Sequence, residues 1–190
     1  MASGHLLSAC KNHCNYGCIF CLTGKELLVA NAIEAQSPFI RARAVRRVTR
    51  HTQQGVTTLQ DEVVLHGYVL FEAPRCLDLT EAIPRDTALS VLTYSDGDWR
   101  LFGDDENYAK WIFRYDGLID LSNACQIGNR IQIIDGPLKD LEGRITRIDR
   151  RNRSGQVEIN IGGRLQKVWL GFDIVKEYPE DEAIFAQRNN

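Results

Sequence analysis

The chain has no long apolar run: nowhere does it approach the roughly 18 to 20 uninterrupted apolar residues of a membrane-spanning helix, so a membrane protein is not expected. An export signal of ordinary form is also missing. Leu7, Ser8, Ala9 and Cys10 resemble a lipoprotein cleavage box, but no Lys or Arg precedes them and the apolar stretch is too short. The expected location is therefore the cytoplasm, where the six cysteines stay reduced. Their placement suggests no disulfide framework, so they are read as metal ligands or as small buried residues. Histidine is scarce. His5, His13, His51 and His66 follow no metal-ligand spacing, and no Ser/His/Asp or Cys/His arrangement is visible, so neither an enzyme nor a cofactor is expected.

A strong net charge is absent too, the total being −2. That figure hides an asymmetry: residues 127–177 carry ten Lys and Arg against seven Asp and Glu, while residues 1–126 carry twelve against fifteen. A basic bias confined to one segment points to nucleic acid or an acidic partner, with an ordinary solvated surface as the alternative. What is present is a chain of 190 residues, 44% apolar and 25% charged, far from disorder and long enough for one ordinary domain or two small ones.

Tyr16 to Leu22 is a short apolar run. Thr23, with Glu26 three positions on, has the spacing of a capping box and predicts a helix with Leu27, Leu28, Ala30, Ala32 and Ile33 as its apolar stripe. Ser37-Pro38 ends it, because the residue before proline is pushed out of the α region. A basic stretch, Ile40 to Val48, leads to a polar hairpin tip, His51 to Thr58, around Gly55. The return strand is expected from Val63 to Phe71, with a bulge or close backbone contact at His66-Gly67. Leu79 to Ile83 predicts a short helix, Ala88 to Tyr94 a strand and Ser95 to Asp98 a turn. Glu106 to Tyr115 predicts a helix with Tyr108, Trp111, Ile112 and Tyr115 on one side. For residues 16–116 the expected class is α+β, an antiparallel sheet flanked by helices, between an amino-terminal tail at 1–15 and a linker at 117–127.

Beyond Gly128 the pattern changes to short strands, at Arg130 to Ile134, Gly143 to Asp149, Gln156 to Ile161 and Leu165 to Leu170, with no helix required. Ile145 with Ile148, and Val157, Ile159 and Ile161 in alternation, define one buried face. Turns are expected at Asp135-Gly136-Pro137, Ser154-Gly155 and Gly162-Gly163. Residues 128–177 so arranged make a small closed β-barrel, followed by an acidic tail at 178–190.

The segment GNRIQIIDGPLKDLEGRITRID, Gly128 to Asp149, resembles the KOW motif of the NusG family of transcription factors. Gly136 permits its tight turn, Pro137 fixes φ, and Gly143 lets the chain bend across the barrel. Thr23-Gly24-Lys25-Glu26 resembles the strand-to-helix turn of that family's NGN domain, and Leu65-His66-Gly67-Tyr68-Val69 its apolar-Pro-Gly-Tyr-Val strand. The sequence departs from the family at His66, where proline is usual, and at Gly17, where an aromatic is common. The run from Asp96 to Ser122 and the Arg150-Arg151 strand end look most like the LoaP group of specialised paralogs. The resemblance implies a non-enzymatic elongation factor promoting processive antitermination, with an NGN domain that binds the clamp helices of the RNA polymerase β′ subunit. The KOW domain, an SH3-like barrel, would contact nascent RNA, a ribosomal protein or a termination factor.

By position, Tyr16, Leu65, Gly67 and Tyr68 contribute to the implied polymerase-binding pocket, against the alternative that they are core. For RNA the candidates are Lys139, Arg144, Arg147, Arg150, Arg151, Arg153, Arg164 and Lys167, densest from Arg147 to Arg153, with a solvated charge run as the alternative. A KOW-containing RNA- or ribosome-binding module without polymerase contact is a second functional class. A third comes from Cys14, Cys18 and Cys21, whose spacing matches the iron-sulfur motif of radical S-adenosylmethionine enzymes. On a strand, Cys18 and Cys21 would point to opposite faces and share no cluster. Cys10, Cys14, His5 and His13 offer a zinc site without a second well-spaced pair.

Overall fold

The computed structural model describes residues 14–178 except 76, 78, 80, 81, 95 and 96. Cys10, His5, His13 and nearly all of the two expected tails lie outside the described residues. The chain is mixed α/β, sheet-rich with few helices, and divides into two compact units. One comprises Met1–Arg46, Val63–Gly117 and Ile161–Gly163; the other comprises Arg47–Glu62, Leu118–Asn160 and Arg164–Asn190.

The first unit is built on a four-stranded antiparallel sheet. Its strands are β1 (Cys14–Cys21), β2 (Arg41–Ala44), β5 (Tyr68–Pro74) and β6 (Ala88–Val91), in the order β2-β5-β1-β6. Ile19, Cys21, Val69, Phe71 and Ala73 share one core with Val29, Ala30 and Ile33 of helix α1 (Glu26–Gln36). Tyr16, two positions from Cys18 and so on the opposite face from Ile19, meets Phe113 of helix α2 (Asp104–Arg114), whose Tyr108, Ala109, Trp111 and Ile112 are buried. β1 and β5 are therefore covered on both faces, which is why they read as apolar runs without alternation.

The apolar stripe expected for α1 is displaced. Val29, Ala30 and Ile33 are buried at helical spacing together with Glu26, whereas Leu27 and Leu28 are exposed. The capping box does not form either. Gly24 turns with φ 83°, the helix starts only at Glu26, and no side chain caps it. Ser37 ends α1 as expected, in extended backbone.

Gly17 pairs across the sheet with Phe71, and a Cβ there would lie 2.2 Å from the Phe71 ring. The aromatic missing from β1 is thus supplied by its neighbour, an aromatic ring covering a strand glycine. No helix is seen at the described residues of Leu79 to Ile83, where a turn closes through the Ala82 N–H to the Leu79 carbonyl at 3.1 Å; positions 80 and 81 lie outside the description. Of the turn expected at Ser95 to Asp98, the described part is bridged by Gly97 N–H to Tyr94 O at 2.9 Å.

In the second unit β3 (Arg46–Gln53) and β4 (Val56–Val63) form a hairpin turning at Gln54 and Gly55, both at positive φ (51° and 80°), the primed geometry that matches strand twist. The return strand thus begins at Val56, earlier than expected, and is followed by a break at Val64 to Gly67 before β5. Residues within the expected linker carry β7 (Leu118–Ile119), which joins the β3–β4 sheet, and β8 (Ser122–Ile127).

β8, β9 (Arg130–Asp135), β10 (Ile145–Asp149), β11 (Ser154–Ile161) and β12 (Arg164–Tyr178) form a five-stranded sheet ordered β10-β11-β12-β8-β9. Its two ends, β9 and β10, are edges in this hydrogen-bonding order rather than partners in a closed barrel. Between them the chain makes a one-turn helix, α3 (Pro137–Asp140), and a 3-10 turn (Glu142–Arg144), where no helix was expected. These place Leu138 and Leu141 in the core, together with the inward residues Val157, Ile159, Val168, Leu170 and Phe172. Each fully buried Leu, Ile or Phe contributes about 1.5–3 kcal/mol.

Gly136 holds φ 91° with its Cα face packed on Ser122, whose hydroxyl accepts the Leu138 N–H at 2.8 Å. Gly143, by contrast, meets nothing within 4 Å and does not have positive φ, so the bend assigned to it has no steric basis. Ser154-Gly155 opens β11, and the turn lies one step earlier, at Arg150 to Arg153.

Candidate functional site

In the first unit, the turn before β5 gathers Leu65, Gly67 and Tyr68. The Tyr68 N–H donates to Leu65 O at 3.3 Å, and Gly67, at φ 80°, approaches β1 closely enough to accept the Cys21 N–H at 2.9 Å. A Cβ on Gly67 would lie 3.3 Å from that same cysteine's carbonyl oxygen, the close backbone contact expected at this glycine. Leu65 is wholly buried and Tyr68 nearly so, its ring edge-on to Phe20 at 5.2 Å. Tyr16 stands apart. It pairs with Glu72 while Tyr68 pairs with Phe20, an offset of four residues, or about 13 Å along the strands. Tyr16 is half-buried, its ring 5.4 Å from Phe113, and the Arg41 guanidinium lies over that same ring.

Glu26 ties this turn together, a role the capping-box reading missed. Its carboxylate accepts the Gly24 N–H at 3.0 Å and the Gly67 N–H at 2.7 Å. Burial pushes its pKa up, but the backbone donors of Gly67, Glu26 and Gly24 outweigh that push and hold it below the ordinary value. The signal was in the sequence, since an acid at the first helical position is drawn to orphan N–H groups whichever loop supplies them.

In the second unit the RNA candidates fall into three groups. Lys139 and Arg144 lie on α3 and the 3-10 turn, where Lys139 pairs with Glu142. Arg164 and Lys167 lie on β12, where Lys167 meets Glu158 at 3.3 Å. The third group is Arg147 on β10 with Arg150, Arg151 and Arg153 in the following loop, all exposed. Asp149 fixes this loop by accepting the Asn152 N–H at 2.9 Å and its side-chain amide at 2.8 Å, bonds that hold its pKa below the ordinary range. Arg150 reaches the Asn129 side-chain oxygen at 3.4 Å, and Arg153 lies 3.9 Å from Asp173.

Trp169 belongs with this third group, although sequence reasoning passed over it. Val168, Leu170 and Phe172 point inward, so Lys167, Trp169 and Gly171 point outward. The Arg147 guanidinium sits over the indole, 6.0 Å from its centroid, at the limit of a cation–π contact. An aromatic alternating with a lysine on an outward register was the available signal.

Cys14, Cys18 and Cys21 all lie on β1. Cys18 and Cys21 are buried thiols, and burial pushes both pKa values up, that of Cys21 to about 11, with Glu26 adding to the effect. Among the described residues no three His, Cys, Asp or Glu side chains are grouped to hold a metal ion. Among the same residues no helix is long and apolar enough to cross a membrane.

No family model matches the chain, and no curated protein matches it. Among solved structures it is similar to NusG from Thermotoga maritima, at 19% identity and a TM-score of 0.46, over 84% of this chain and 94% of that one.

Proposed function

We propose that the chain is a NusG-type transcription elongation factor of the antiterminating, LoaP-like kind, acting without catalysis in the cytoplasm. Residues 16–116, of which 47–62 are grouped with the second unit, form an NGN domain that binds the β′ clamp helices of RNA polymerase, and residues 128–177 form a KOW domain that contacts nascent RNA. One observation supports the reading: the turn of the KOW-like segment Gly128 to Asp149 forms at Gly136. Gly136 stands in the left-handed region against Ser122, and β9 and β10 flank the turn.

Polymerase contact in this reading centres on the turn at Leu65, Gly67 and Tyr68. Because the side chains of Leu65 and Tyr68 are buried, their part is to hold the surface that Phe20 and His66 present beside them. Tyr16 contributes from the other end of the β1–β5 pair.

In vitro transcription through an intrinsic terminator tests the whole proposal. The full chain is expected to raise readthrough, and Gly67→Val, which forces a β-branched residue to φ 80°, to abolish the gain. Unchanged termination at saturating protein, with RNA still bound, would leave an RNA-binding module and refute the elongation-factor reading.

A further inference from the structure

The second unit contains a cavity of about 280 Å³ beside the arginine loop, lined among others by Arg47, Thr49, Arg50, Asn152, Ser154 and Trp169. Its size is at the lower end of small-molecule pockets. From these walls, and resting on the RNA reading above, we infer that the cavity receives one unpaired base of a single-stranded RNA.

The chemistry of the walls suits that occupant. Trp169 offers an aromatic surface, and base stacking on such a surface tolerates any sequence because every base has a π-face. Arg147, over the same ring, adds a planar cation for a neighbouring base or phosphate. Thr49 and Ser154 supply hydroxyls and Asn152 an amide oxygen, groups that read base edges.

The cavity is also preorganised. Arg47 donates to the Trp169 carbonyl and Arg50 to the Phe172 carbonyl at 3.2 Å, so the backbone behind the indole is pinned from the hairpin side. On the other side the Asp149–Asn152 bonds fix the loop that bears Arg150, Arg151 and Arg153. Arg47 and Arg50 are themselves paired, with Glu62 and Asp173, so the cavity floor carries little net charge. The phosphates are left to the loop arginines at the rim. A neutral, aromatic-walled hollow beside a basic rim fits an unpaired nucleotide better than a duplex, whose bases are stacked inside.

The test compares a single-stranded oligonucleotide with a fully paired hairpin RNA, each titrated with the full chain and with three variants. Trp169→Leu is expected to weaken single-strand binding about tenfold or more, Trp169→Phe by less than about threefold, and neither to change duplex binding. Arg150→Ala with Arg151→Ala is expected to weaken both. Wild-type single-strand affinity in Trp169→Leu, alongside loss in the arginine variant, would overturn the cavity and leave RNA binding standing. Equal losses on single strand and duplex would overturn it as well, and absence of RNA binding by the parent chain would remove the RNA reading and the cavity together. Should Trp169→Leu fail to fold, 5-iodouridine placed in the oligonucleotide and irradiated with the parent chain decides. A crosslink within the tryptic peptide 168–176 supports the cavity, and crosslinks only elsewhere overturn it.

Discussion

The chain carries two arginine-rich stretches, residues 41–50 and residues 147–153, and they are used in opposite ways. In the first, Arg41 meets Glu72 at 2.9 Å, Arg43 meets Glu34 at 2.5 Å and Asp116 at 2.8 Å, Arg47 meets Glu62 and Arg50 meets Asp173. In the second, among the described residues, no carboxylate lies within ion-pair distance of Arg147, Arg150 or Arg151, and Arg153 is only 3.9 Å from Asp173. The acid nearest in sequence, Asp149, is held by neutral donors of Asn152. A run of arginines therefore predicts an anion-binding surface only where the local acids are already engaged by neutral donors. By that criterion the arginines of residues 41–50 are engaged within the fold, and those of residues 147–153 are the ones left to the proposed RNA contact.

The sharpest way to break this contrast is to remove Arg43, whose side chain is 22% exposed and serves Glu34 and Asp116 together. Arg43→Ala leaves both carboxylates without their main cation and is expected to destabilise the first unit by about 1.5 kcal/mol. The figure is discounted because Asp116 is itself largely exposed. The same variant changes the response to acid. The hydrogen bond from Arg43, opposed by burial, holds the Asp116 carboxyl below its ordinary value. As pH falls the unfolded state takes up this proton first, so the stabilisation present above about pH 4 is lost below it. Denaturant melts at pH 7 and pH 3 are expected to show a smaller acid loss in Arg43→Ala than in the parent. An equal acid loss would detach Asp116 from the network.

How far the two stretches could be told apart in the sequence follows from where their partners lie. Glu34, Glu72 and Asp116 are brought to Arg41 and Arg43 by α1, β5 and the end of α2, across separations of up to 75 residues, and no local pattern announces them. Periodicity, being local, placed most of the strands of residues 128–177 within a residue or two and located α2. It missed α3 and the 3-10 turn because one turn of helix leaves no repeat to detect. It also misphased α1, since Leu27 and Leu28 looked like core while Glu26, a buried acid satisfied by a distant loop, took part of that face. At the candidate site the arginines were legible by charge. Trp169 was legible only through the alternation of Val168, Leu170 and Phe172, which puts it on the outward register with Lys167.

The second stretch responds in the opposite manner. Arg150→Ala with Arg151→Ala is expected to change stability by less than about 0.5 kcal/mol, because among the described residues neither side chain meets a carboxylate. RNA affinity at low salt is expected to fall by about tenfold. The slope of log affinity against log salt should become shallower by about 1.4, the release of counterions from two phosphates of a single strand. Titrations at three salt concentrations measure this. An unchanged slope would return residues 147–153 to an ordinary solvated surface and erase the contrast with residues 41–50.

The smallest expected effect on RNA affinity concerns Arg153, which stands between the two patterns. Its φ of 47° lies in the left-handed region, which costs a residue with a Cβ about 1 kcal/mol. The loop imposes this conformation, for the Arg153 N–H reaches Arg150 O at 3.3 Å and its own carbonyl accepts the Phe172 N–H at 2.8 Å. Glycine adopts that backbone without strain but orders more chain entropy on folding, so the two terms nearly cancel. Arg153→Gly is expected to leave stability unchanged or raise it by up to about 0.5 kcal/mol, while Arg153→Val lowers it by about 1–2 kcal/mol. RNA affinity should fall less than threefold in Arg153→Gly, because this guanidinium already leans toward Asp173 and offers phosphate less than Arg150 or Arg151 does. Melts of the two variants side by side decide the matter. If glycine destabilised as much as valine, the loop would not be held in the left-handed turn that aims Arg150 and Arg151 outward.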